Sequence, residues 1–85
     1  MERLQTVEKK ILPWYFDAVV SGRKNFELRR DSDDFVVGNV LVLREWDGLG
    51  YTGRSVSRTI TYVLRDVPEY GLEDGFVILG ISPTS

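Results

Sequence analysis

The residues best equipped for chemistry lie together in Gly22-Arg23-Lys24-Asn25-Phe26-Glu27-Leu28-Arg29-Arg30. Lys24 is a compact cation suited to a phosphate or a polarised carbonyl. Arg29 carries a planar fork that can hold phosphate with two hydrogen bonds, or stack on a base. Glu27 can accept hydrogen bonds from the exocyclic amine of a base. Spacing decides whether the three act together. Read as a strand, the stretch alternates: Phe26 and Leu28 point one way, and Asn25, Glu27 and Arg29 the other. An acid and a base two apart on one strand face reach each other, and Lys24 sits at the corner before them. The same residues also read as a plain ion pair, with Glu27 and Arg29 satisfying each other and Lys24 solvated at a turn.

The elements around this corner must hold it in place. Residues 6–12 read as a short strand with Val7, Lys9 and Ile11 on one face. Lys9 there either snorkels from a strand end or lines a cleft. Pro13 suits the first turn of a helix, where its missing N–H costs nothing. Trp14 to Ser21 supplies about two turns, with Phe16, Val19 and Val20 as the buried stripe. Gly22 ends the helix, because glycine takes the left-handed conformation cheaply. A helix this short must pack on a sheet.

Beyond the corner, Asp31-Ser32-Asp33-Asp34 is a turn by composition. It lacks the central glycine and terminal glutamate of a calcium loop, so no metal is expected there. Val40 to Trp46 opens with four apolar residues and reads as a strand covered on both faces. Asp47 to Gly53 is glycine-rich and joins two strands as a long hairpin loop. It has neither the Lys-Ser/Thr ending nor the following helix of a phosphate-binding loop. Arg54 to Arg65 alternates, with Val56, Arg58, Ile60, Tyr62 and Leu64 on one face. Asp66 to Asp74 is an acidic loop, Gly75 to Ser82 a strongly apolar and therefore central strand, and Pro83-Thr84-Ser85 a tail. Five strands in so short a chain expose edges unless the sheet curls closed, so a small mainly β barrel with one helix is expected, with residues 1–85 as a single domain.

Composition narrows the functions. The 85 residues contain no cysteine and no histidine. That removes disulfides, thiolate metal sites, and Ser-His or Cys-His nucleophilic devices. No cofactor is expected. No apolar run reaches the roughly 18 residues of a membrane span, and Met1-Glu2-Arg3-Leu4-Gln5 has no leader core, so a cytoplasmic location is expected. The net charge of −2 argues mildly against a general nucleic-acid binder. Its distribution is uneven. From Lys9 to Arg30, Lys9, Lys10, Arg23, Lys24, Arg29 and Arg30 face only Asp17 and Glu27, whereas Asp66 to Asp74 holds four acids and no base. A basic side can take one anionic group or a short strand; an ordinary mixed surface reads the same way.

The ordered set Gly22-x-Lys24-x-x-Glu27-x-Arg29, Asp34-Phe35-x-Val37-Gly38, Leu41-x-Leu43-x-Glu45-Trp46-Asp47, Tyr51-Thr52-Gly53-Arg54 and Tyr70-Gly71-Leu72-x-x-Gly75-Phe76-x-Ile78-Leu79-Gly80-Ile81 resembles the ASCH-type group of PUA-like domains. It is similar to small stand-alone members from bacteria and their phages, and the likeness runs from about Val7 to Ile81. The resemblance implies a PUA-type pseudo-barrel of about five strands with a cleft beside the helix. It implies RNA binding there through the positions matching Lys24, Glu27 and Arg29. Some small relatives in that group are amidohydrolases on modified nucleosides, with a threonine nucleophile where this chain has Glu27. Close relatives also read Asn-Asp-Arg-Asp-Phe where this chain reads Asp31-Ser32-Asp33-Asp34-Phe35, so the turn here loses a base and gains an acid.

Two functions follow. The first is a module binding RNA or a nucleotide-like ligand through Lys24, Glu27 and Arg29, with Lys9, Arg23, Trp46 and Tyr70 as further contacts. Trp14, Tyr15 and Tyr51 are additional candidate stacking rings. The second is a small amidohydrolase on a modified nucleoside, with Glu27 as base and Lys24 stabilising an oxyanion. Binding stands ahead of catalysis.

Overall fold

The computed structural model describes residues 5–84. Met1 to Leu4, read above for a leader, and Ser85 of the tail lie outside them. Five strands and one α-helix follow in the order β1 (Thr6–Ile11), α1 (Pro13–Val20), β2 (Phe26–Arg30), β3 (Val40–Trp46), β4 (Tyr51–Leu64) and β5 (Phe76–Ile81), with a 3₁₀ turn at Pro68–Tyr70. All five strands form one sheet in the order β1-β3-β4-β5-β2. β1 runs parallel to β3; the other pairs are antiparallel.

The expected closed barrel is not formed. β1 and β2 are the two ends of the sheet, and the hydrogen-bonded order stops at each. A ladder would need the strands about 4.8 Å apart. Here the Arg29 side chain lies between them instead, its Nη2 donating to the Lys10 carbonyl of β1 at 2.7 Å. The sheet therefore curls far enough for its edges to be bridged by a side chain, and a gap remains.

One face of the curl holds the core: Ile11, Phe16, Val19, Phe35, Leu41, Leu43, Ile60, Val77, Leu79 and Ile81. The helix packs against β3 and presents Phe16 and Val19 inward. Val20, expected on that stripe, faces solvent, because a two-turn helix buries only a narrow seam. β3 buries Leu41 and Leu43 while Val40 and Val42 stay half-exposed, so its apolar run is covered on one face more than the other.

β4 is longer than its alternation predicts. It begins at Tyr51, which shortens the hairpin loop, and it pairs first with β3 and then with β5. The register shifts between Ile60 and Tyr62. Such an irregularity resets the phase of the pleat. Arg58 and Ile60 share a buried face, but Tyr62, expected on the same face, turns outward, 64% exposed, and Val63 packs on the core. Glycine at position 80 accommodates this. A Cβ there would meet Thr61 Oγ1 and Tyr62 Cβ, each at 3.2 Å. Gly80→Val should therefore destabilise the fold by about 1–3 kcal/mol through overpacking. A urea titration checks this; an unchanged midpoint would mean that β4 yields at its irregularity.

Candidate functional site: a cleft between unpaired strand edges

The corner that carries Lys24 is fixed by the end of the helix. Gly22 takes φ +81°, and the Gly22 and Arg23 amides donate to the Val19 and Ala18 carbonyls, each at 3.0 Å. This double closure is the usual end for a helix followed by glycine. The Lys24 amide also reaches the Ala18 carbonyl at 3.0 Å. The Lys24 backbone is thus tied to the helix before β2 begins.

β2 then faces the opposite way from a simple apolar-in strand. Glu27 is only 3% exposed, whereas Phe26 is 49% and Leu28 56% exposed. Burying a carboxylate is costly unless its charge is met. Both oxygens are met here. Lys24 Nζ pairs with Oε1, and Arg29 Nε and Nη2 reach Oε2 at 2.8 and 2.7 Å. The cations also satisfy the open edges: Lys24 Nζ donates to the Phe26 carbonyl at 2.7 Å, as Arg29 does to that of Lys10. Unpaired edge groups otherwise invite other strands.

Beside this triad lies a cleft of about 410 Å³, lined by the backbone or side chains of Lys10 to Leu12, Tyr15, Lys24 and Phe26 to Arg29. It lies between β1 and β2, with Tyr15 of the helix in its wall. Its walls are mostly apolar, and Lys24 and Arg29 set two cations against one carboxylate. Lys24 Nζ stands 4.9 Å from the Phe26 ring centroid and 5.6 Å from that of Tyr15. The arrangement suits a flat, partly apolar molecule with an anionic group.

The remaining sequence-predicted contacts fall elsewhere. Lys9 points inward from β1 and pairs with Asp33 of the acidic turn. Arg23 is exposed and donates to Ser21 Oγ at 3.0 Å. Trp46 sits under Lys10 on the outer side of the sheet. Tyr70, 84% exposed, ends the 3₁₀ turn and is outside the cleft lining. The lining residues Lys10, Leu12 and Tyr15 were missed as cleft formers, except that Tyr15 was a candidate ring. No sequence signal marks them, because the gap exists only once the sheet has curled. Among the described residues, no group of three acids is placed to hold a metal ion.

A second buried acid supports the hairpin. Glu45 accepts from Thr52 Oγ1 at 2.6 Å and from Arg54 Nε and Nη2 at 2.9 and 2.7 Å. Arg54 also reaches Asp17 of the helix at 3.1 Å. Glu45 shares the strand parity of Leu41 and Leu43, and period two was the available clue to its burial. The bonds from Arg54, then Thr52, hold the Glu45 carboxyl below its ordinary value near 4.5, and Glu45 in turn pushes the Arg54 guanidinium further up. A carboxyl depressed in the folded state contributes stability above its unfolded value, and that contribution is lost as pH falls through the folded one. Glu45→Gln should therefore be less stable than the wild type at pH 7, with the difference shrinking below about pH 4. Denaturant titrations across pH 7 to 2.5 check it; a constant difference would mean the bonds survive protonation.

Residues 6–81 match the model of a family described as a domain of unknown function, DUF3850. A curated relative, described as an uncharacterized 12.9 kDa protein in the GpA 3′ region of Escherichia phage P2, is 39% identical over 72 residues. The match covers 85% of this chain and 63% of that protein, so the chain spans less than two thirds of the relative's length. The family match runs from the first residue of β1 to the last of β5 and takes in the whole cleft; the chain belongs to the DUF3850 family.

Proposed function

We propose that this domain binds RNA or a nucleotide-like ligand in the cleft between β1 and β2. The observation that carries the reading is the buried Glu27 carboxylate held between Lys24 and Arg29 in an open hollow. A structural ion pair needs no such opening. Phosphate would be met by Lys24 or Arg29, held in place by Glu27, and a base would lie against Tyr15 or Phe26. The resemblance to ASCH-type PUA-like domains supports the same reading, since RNA is proposed to sit at the matching positions there. On this proposal the open, curled sheet is a pseudo-barrel of that kind, its unclosed seam serving as the binding cleft. Hydrolysis stands behind binding, because both Glu27 oxygens are already engaged by cations.

Lys24→Ala and Arg29→Ala should each weaken binding of short single-stranded RNA by roughly ten-fold or more, the cost of a lost charged hydrogen bond. Each phosphate contact removed should flatten the salt dependence by about 0.7 log units per log unit. Fluorescence anisotropy at several salt concentrations measures both, and circular dichroism establishes that the variants are folded. Equal binding by the wild type and both folded variants would overturn the proposal. So would turnover of an acylated nucleoside that disappears in Glu27→Gln.

A further inference from the structure

Lys10 belongs to two hollows. It lines the cleft, and it also lines a second depression of about 350 Å³ with Glu8, Lys9, Arg44 and Tyr51 on the outer side of β1, β3 and β4. Parallel pairing of β1 with β3 sets Lys10 opposite Arg44, and antiparallel pairing of β3 with β4 sets Trp46 opposite Tyr51. Each cation lies on a ring. Lys10 Nζ is 3.9 Å from the Trp46 centroid, and the Arg44 guanidinium carbon is 3.9 Å from that of Tyr51. The two rings meet edge to face at 5.1 Å. Glu8 offers Arg44 a contact at 3.4 Å, between two well-exposed side chains.

We propose that this depression is a second nucleotide subsite, so that the ligand is a single strand of at least two nucleotides that leaves the cleft across Lys10. The inference rests on the nucleotide-binding reading of the cleft. The rings hold the two cations in place before a ligand arrives, which lowers the ordering cost of binding. Lys10 then meets the phosphate that joins the two nucleotides. The outer face of the Arg44 guanidinium, backed by Tyr51, is a platform for the second base. Glu8 stands on the same strand and face as Lys10, two residues before it, and its exposed pair with Arg44 is weak and gives way readily.

The test compares uridine monophosphate with oligouridylates of two to six residues by titration calorimetry, on the wild type and on Arg44→Gln. The wild type should bind the dinucleotide about ten-fold or more tighter than the mononucleotide. Arg44→Gln should lose most of that gain while binding the mononucleotide as the wild type does. Mononucleotide and oligonucleotides binding equally well to the wild type would overturn the second subsite and leave the cleft reading intact. A length gain unaffected by Arg44→Gln would also overturn it. No binding of any of these ligands would overturn both readings, and a glutamate-rich peptide bound in their place would assign the depression to an acidic protein instead.

Discussion

One buried carboxylate organises this molecule's open seam. Glu27 points inward from an edge strand, where a bare charge would be prohibitive, and two cations make it tolerable. Those cations perform a second task. Lys24 and Arg29 also accept the burden of the unpaired edges, one capping a carbonyl of β2 and the other a carbonyl of β1. The seam is therefore held by side chains where a barrel would use a backbone ladder. Side chains leave room, and the cleft is that room.

Carboxylate–guanidinium pairs recur among the described residues, and their settings differ. Arg65 joins the end of β4 to Asp31 and to the Phe35 carbonyl, pinning the acidic turn. Arg54 joins the β3–β4 hairpin to the helix through Glu45 and Asp17. The first lies at a partly exposed turn, and the second closes on a Glu45 carboxylate as buried as that of Glu27. The Glu27 group is distinct because a hollow opens beside it. Buried ion pairs are weak evidence for stability in general. Their placement beside an opening is what separates a site from a brace.

Much of the architecture was legible in the residues. Pro13 and Gly22 bracketed the helix, and the apolar runs marked the strands. The alternation in β2 correctly grouped Glu27 with Arg29 and Phe26 with Leu28. Which group faces inward was not legible. Periodicity defines two faces but does not say which is buried, and the usual preference for apolar residues inside points the wrong way for this strand. The phase change in β4 was hidden for a similar reason. A one-residue irregularity leaves no mark in an alternating sequence, so Tyr62 reads as sharing a face with Ile60, although the two end on opposite sides.

The amino-acid sequence alone determined the element order, the helix limits to within a residue, and the spacing that lets Lys24, Glu27 and Arg29 meet. These depend on local backbone preference and on side-chain reach over a few residues. Tertiary structure decided that the sheet stays open, that β1 and β2 become facing edges, and that Lys10 and Tyr15 join the same hollow. Those facts depend on how far five paired strands curl together. Curl is the sum of twists and register shifts along the whole sheet, and no single stretch of chain encodes it.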